Sequence, residues 1–164
     1  MNESQKEIKF LDLIKENQNI IHKICFVYSN HNDDRKDLYQ EIILQLWKSF
    51  ESFKGLSKFS TWIYRVALNT AITLTKKPIL FVNTSTPPDI PIGFDNSLEL
   101  SEDIKILYLA ISKLKKTEKA IILLWLEEKS YKEISETIGI STKNVSVKLV
   151  RIKLKLAELI KKEK

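Results

Sequence analysis

Hydrophobic residues along this chain recur in steps of three and four, and almost nowhere in alternation. In residues 5–29, Ile8, Leu11, Ile14, Ile21, Ile24 and Tyr28 keep helical spacing. A second stripe, Leu38, Ile42, Leu46, Trp47 and Phe50, predicts a helix capped by Asp33 or Asp34. After "KGLSKF" a third helix is expected from Ser60 or Thr61 to about Lys76. Residues 101–114 and 117–128 read as two more. The later one, "TEKAIILLWLEE", is apolar on nearly every side in its middle, which predicts the centre of a small core. No segment alternates long enough for a strand, although "ILFVN" suits extended chain. The expected fold class is all-α.

Punctuation divides the pattern in two. All four prolines, Pro78, Pro87, Pro88 and Pro91, fall within fourteen residues, and Gly93 follows. Proline lacks a backbone donor and blocks helix, so residues 78–97 read as a Pro-rich linker. It joins two small helical subdomains, residues 1–77 and 98–164. Gly55 and Gly139 each fall between helical patterns, where a positive φ is useful.

The second subdomain contains "SYKEISETIGISTKNVSVKLVRIKLKL", residues 130–156. Ser130 and Glu133 form the sequence signature of a capping box. Gly139 is placed to end that helix in the left-handed conformation, and Ser141 to cap the next. Ile134, Ile138, Ile140, Val145 and Leu149 supply the contacts that hold two helices across a tight turn. This is the pattern of a helix-turn-helix. Its second helix presents Thr142, Lys143, Asn144, Ser146, Val147, Lys148 and Arg151 at the positions that enter a DNA major groove. Lys148, Arg151 and Lys153 suit phosphates, while Lys143, Asn144 and Ser146 suit base edges.

Charge sharpens this reading. The chain of 164 residues carries a formal net charge of +6. Residues 138–164 hold eight basic and two acidic residues, so eight minus two accounts for the whole excess. A basic surface localised on one helix and its tail points to a polyanionic partner. The composition, 43% hydrophobic and 29% charged, is that of a folding chain.

Cys25 is the only cysteine, which excludes an internal disulfide. His22 and Cys25 are one helical turn apart, but His31 alone does not complete a zinc site, so Cys25 reads as a small apolar residue. No stretch approaches a membrane span and no signal peptide is evident, which predicts a cytoplasmic protein without membrane insertion. No cofactor and no catalytic motif is expected.

The first subdomain carries a different constellation. Asp33, Asp34, Asp37 and Glu41 crowd the start of one helix. Six aromatics, Trp47, Phe50, Phe53, Phe59, Trp62 and Tyr64, then fall within eighteen residues, interleaved with Lys54, Lys58 and Arg65. Aromatics beside cations are what single-stranded bases stack on. The same rings also suit a core, and Trp47, Phe50 and Phe59 fit that better.

Taken together, "DLYQEIILQLWKSFESFKGLSKFSTWIYRVALNTA" resembles region 2 of the extracytoplasmic-function group of the sigma-70 family. "KKTEKAIILLWLEEKSYKEISETIGISTKNVSVKLVRIKLKL" resembles its region 4. The resemblance implies a factor that binds core RNA polymerase and directs promoter-specific initiation, with promoter DNA and an anti-sigma factor as further partners. It implies polymerase docking by Asp34, Asp37, Leu38, Gln40, Glu41 and Leu46. It implies a −10 element reader made of Lys54, Gly55, Ser57, Lys58, Phe59, Ser60, Trp62, Arg65 and Asn69. The helix from Thr142 becomes the −35 reader. Three departures bear on these roles. "TAITLTKK" stands where relatives carry several arginines, Ser146-Val147 replaces a lysine-serine pair, and Ile63 follows Trp62 where housekeeping members have a second tryptophan. The rival is a stand-alone helix-turn-helix regulator of the response-regulator type. Its receiver domain alternates strands and helices, and residues 1–77 show no such alternation.

Overall fold

The structure, a computed structural model, describes residues 2–55, 57–74 and 101–163. The expected linker, with "ILFVN" and Gly93, and the expected third-helix end near Lys76 lie outside these residues. Among the described residues there are eight α-helices and no strand. They are α1 (Glu3–Glu16), α2 (Gln18–Tyr28), α3 (Asn32–Ser49), α4 (Phe59–Leu74), α5 (Glu102–Ser112), α6 (Lys116–Leu126), α7 (Tyr131–Ile138) and α8 (Thr142–Glu163). A short 3-10 turn, Phe50–Ser52, follows α3. The described residues form two compact units, one within Met1–Cys25 and His31–Leu98, the other within Phe26–Asn30 and Glu99–Lys164. The difference from the expected division is Phe26–Asn30, which groups with the second unit.

In the first unit, the single helix expected over residues 5–29 is two. The Asn17 side-chain amide donates to the Leu13 carbonyl at 2.8 Å, and the Asn17 N–H turns to Ile14 at 3.0 Å. The ladder bond from Asn17 back to Leu13 is thereby replaced, and the helix ends. A local side-chain hydrogen bond competing with the ladder is the usual reason asparagine breaks helices. α1 opens on a capping box that the hydrophobic pattern does not reveal. The Asn2 Oδ1 accepts the Gln5 N–H at 2.8 Å, and the Gln5 Oε1 accepts the Asn2 N–H at 3.2 Å. α3 also departs from expectation. It starts directly after His31, so Asp33 and Asp34 do not cap it but lie in its first turn, where they complement its dipole.

The α3 stripe is core as predicted: Leu38, Ile42, Leu46, Trp47 and Phe50 are all buried. Phe10, Ile14, Ile21, Ile63, Ala67 and Leu68 complete the packing, and α3 with α4 is the most extensive helix pair. Each such large side chain withdrawn from water stabilises by about 1.5–3 kcal/mol. Lys6 ties α1 to the 3-10 turn: its Nζ lies 2.9 Å from Glu51 Oε1 and 4.4 Å over the Trp47 ring. Cys25 is fully buried, and burial pushes its thiol pKa far above the usual range. Among the described residues, no three His, Cys, Asp or Glu side chains are grouped to hold a metal.

In the second unit, Ile121, Ile122, Leu123 and Leu124 are buried, so the middle of α6 is the centre of the core, as its sequence predicts. Ala110 and Ile111 of α5 and Ile134 of α7 pack with it. α8 contributes Val145, Leu149, Ile152 and Leu156, a stripe in steps of four, three and four residues. α6 and α7 end in the same way. After α6, Lys129 N–H bonds the Leu124 carbonyl at 3.1 Å and Glu128 N–H bonds Trp125 at 3.0 Å, with Glu128 at φ 62°. After α7, the Ile140 N–H reaches the Ser135 carbonyl at 3.3 Å, with Gly139 at φ 85°. Both are left-handed helix stops.

Candidate nucleic-acid interface

The predicted helix-turn-helix is α7, its turn and the first part of α8. Ser130 Oγ accepts the Glu133 N–H at 3.1 Å, and Glu133 Oε1 accepts the Ser130 N–H at 3.2 Å. Ser141 Oγ accepts the Asn144 N–H at 3.1 Å and so caps α8. The Ser135 hydroxyl donates to the Ile140 carbonyl, which stitches the turn to α7. Ile134, Val145 and Leu149 are buried beneath it, while Ile138 and Ile140 are half-buried.

With its apolar stripe turned inward, α8 presents the rest to solvent. Thr142, Lys143, Asn144, Val147, Lys148 and Arg151 are exposed, and Ser146 is half-buried. Lys143, Val147 and Arg151 succeed one another in steps of four, with Asn144 and Lys148 beside them, so they share one face. Lys143, Lys148 and Arg151 form no salt bridge among the described residues, whereas other cations of α8 are engaged. Lys153, which the sequence assigned to phosphate, has its Nζ 4.0 Å over the Trp125 ring. Lys155 lies 3.3 Å from Glu118 Oε1. Burial opposes ionisation of Glu118, but the Lys115 N–H bond and the charges of Lys155 and, more weakly, Lys115 outweigh it and hold the carboxyl below its ordinary range.

Sequence reasoning missed one feature here. Lys115, Lys116, Thr117 and Glu118 at the start of α6 line a cleft of about 720 Å³ together with Lys148 and Arg151. The signal was the adjacent lysine pair. It carries no weight until the fold brings it beside α8.

In the first unit the residues expected at the −10 element divide by exposure. Lys54, Gly55, Ser57 and Lys58 lie exposed on the loop before α4, and Gly55 takes φ 72° there. Arg65 and Asn69 are exposed on α4, while Phe59, Ser60 and Trp62 are half-buried. Trp62, Arg65 and Asn69 follow at steps of three and four and share a face of α4. The aromatics largely pack on each other. Phe59 and Trp62 rings are 5.2 Å apart, and Phe53 is 5.3 Å from Trp62 and 5.4 Å from Phe59. Phe10 continues the cluster at 5.2 Å from Phe50 and 5.1 Å from Trp47. Of the six rings singled out, Trp47, Phe50 and Tyr64 are buried, so core packing is their role.

The expected docking face is smaller than the sequence suggested. Asp34, Asp37 and Gln40 are exposed, and Glu41 is half-buried and accepts from Gln45 Nε2 at 2.9 Å. Leu38 is only 4% exposed and Leu46 is 0% exposed, so both are core residues with almost no surface to offer a partner. Both belong to the apolar stripe of α3.

Residues 13–77 match Sigma-70 region 2, and residues 104–156 match Sigma-70, region 4. The ECF RNA polymerase sigma-E factor of Haemophilus influenzae is 30% identical over 158 residues, which covers 85% of this chain and 80% of that protein. The chain belongs to the extracytoplasmic-function group of the sigma-70 family. A shorter stretch of 49 residues is 41% identical to the ECF RNA polymerase sigma factor SigG of Mycobacterium tuberculosis; it is 30% of this chain and spans 13% of that protein. Among solved structures, the sigma factor RpoE of Bartonella quintana, in complex with the anti-sigma factor NepR, matches with a TM-score of 0.65. That match covers 92% of this chain and 97% of RpoE at 18% identity, so it is a likeness of fold. The described part of the region 2 match lies in the first unit apart from Phe26–Asn30, and the region 4 match lies in the second.

Proposed function

We propose that the chain is a sigma factor: it binds core RNA polymerase and directs initiation at particular promoters. The observation that carries this reading is the presence of both sigma-70 regions, in order, on one chain. A response-regulator type of activator shares a helix-turn-helix tail but has no region 2 ahead of it. The acidic face of α3, with Asp34, Asp37, Gln40 and Glu41, docks on polymerase. The loop before α4, with Trp62, Arg65 and Asn69, reads the −10 element. The exposed face of α8 reads the −35 element, with Asn144 and Lys143 toward bases and Lys148 and Arg151 toward phosphates. Chemistry stays with the polymerase, and sigma supplies recognition. The protein acts in the cytoplasm, and an anti-sigma factor restrains it. Support for that last partner is the solved RpoE, which was captured with one.

The test is reconstitution. The purified chain is added to core polymerase and transcripts are run off genomic fragments. Discrete start sites absent with core alone are the expected outcome. The Asp37→Lys, Glu41→Lys double variant should lose co-elution with polymerase in moderate salt and keep its helical circular dichroism. If the wild-type chain adds no promoter binding to core polymerase, the function assigned here is wrong.

A further inference from the structure

The cleft beside α8 gathers positive charge from outside the helix-turn-helix as well as from within it. Lys148 and Arg151 reach it from α8, and Lys115 and Lys116 from the start of α6, with Thr117 adding a hydroxyl. None of these four cations forms a salt bridge among the described residues. The single carboxylate in the wall, Glu118, is already engaged by the Lys115 N–H at 3.0 Å and by Lys155 at 3.3 Å. That backbone N–H is consumed by the protein's own carboxylate, so what the cleft offers is side-chain charge.

We infer that the cleft seats phosphates of the DNA backbone, and that Lys115 and Lys116 add about two phosphate contacts from outside the helix-turn-helix. This rests on the proposed reading of DNA by α8. Lys148 and Arg151 line the cleft and also flank the exposed Lys143, Asn144 and Val147. A strand whose bases meet that face carries its phosphates past the same two side chains. Lysine serves such contacts as a mobile point charge, without the fixed geometry that base reading needs. The lysine pair therefore strengthens binding to every sequence alike.

The experiment uses the full chain and a labelled duplex recovered with it by binding selection, alongside a scrambled duplex, from about 50 to 200 mM salt. The Lys115→Ala, Lys116→Ala variant should lower the slope of log affinity against log salt by about 1.8, at about 0.9 per phosphate. It should weaken both duplexes by the same factor. The Lys115→Arg, Lys116→Arg variant should keep the wild-type slope, and a circular dichroism melt checks that each variant folds. Arg151→Ala is the internal reference and should lower the slope by about 0.9. If Arg151→Ala does so while the double alanine variant keeps the wild-type slope, the inference is overturned and reading by α8 stands. If neither changes the slope, reading by α8 fails and takes the inference with it. A change of preferred bases in the double alanine variant also overturns it. Inorganic phosphate, compared with chloride at equal ionic strength, should neither stabilise the chain nor displace the duplex. Stabilisation that vanishes in the double alanine variant would assign the cleft to a free anion instead.

Discussion

The two regions assigned to DNA are built on opposite principles. In α7 and α8 the supporting contacts and the reading residues are different side chains. Val145 and Leu149 are buried, while Lys143, Asn144, Val147, Lys148 and Arg151 stand free on the other face. Around the loop before α4 the two roles overlap. Phe59 and Trp62 are half-buried, pack on one another at 5.2 Å, and are also the residues assigned to the DNA. A separated design lets recognition change without touching stability. An overlapping one couples them.

The largest effect should expose that coupling. Phe59→Ala removes a ring in contact with Phe50, Phe53 and Trp62. It should destabilise the first unit by about 2–3 kcal/mol, below the range of roughly 3–5 for a fully buried ring. Chemical denaturation followed by tryptophan fluorescence measures this. A loss below about 0.5 kcal/mol would mean that the ring is held for recognition alone.

Next is Asn144→Ala. Its side chain is exposed and the Ser141 cap uses only its backbone N–H. Stability should be unchanged within about 0.5 kcal/mol, while discrimination at one base pair falls by about 1–3 kcal/mol. Binding selection against a random −35 library reads the change. A uniform loss over all sequences would count against base reading.

What was legible in the sequence followed the range of each pattern. The capping box at Ser130, the stop at Gly139 and the α8 stripe were readable because each is a short-range pattern with one physical solution. The break at Asn17 was not. Ile14 and Ile21 stay in phase across it, so the apolar pattern carries no trace of a side-chain hydrogen bond. His31 before α3 escaped for a similar reason: two aspartates nearby were better caps by type. Leu38 and Leu46 carry two expectations, the apolar stripe and the docking face implied by the resemblance, and their burial favours the stripe. The contact of Lys153 with Trp125 and the shared cleft of Lys115 and Arg151 were not legible, because the partners are distant in sequence.

The second unit holds a comparison of its own. Gly139 and Glu128 hold the same left-handed position after two successive helices. Nothing lies within 4 Å of a Cβ placed on Gly139, so Gly139→Ala should cost only backbone strain, about 1–2 kcal/mol. Glu128 bears such strain already, and Glu128→Gly should stabilise by about 1 kcal/mol. Thermal melts of the two variants should shift in opposite directions. Equal shifts would show that the side chain of Glu128 matters more than its φ.

The smallest effect is on acid stability. Glu118 and Glu51 both have carboxyl pKa values held below the ordinary range, Glu51 through its hydrogen bond to Lys6. A depressed carboxyl stabilises the folded state above its unfolded pKa, and that contribution is lost as pH falls through the folded value. Glu51 is largely exposed, so salt should erase its share. Glu118→Gln should therefore flatten the acid limb of the melting curve at high salt, and Glu51→Gln should not. The reverse order would place the stronger pairing in the first unit.

The burial of Cys25 has a consequence in time rather than in energy. A thiol that is sealed from solvent and resistant to ionisation reacts with an alkylating reagent only when the surrounding helices part. Because it is the only cysteine, each molecule takes up one label at one place. The rate of mass gain then becomes a clock for opening of the first unit. Run with and without polymerase, that clock registers how far the proposed docking on α3 slows the opening, with no engineered probe.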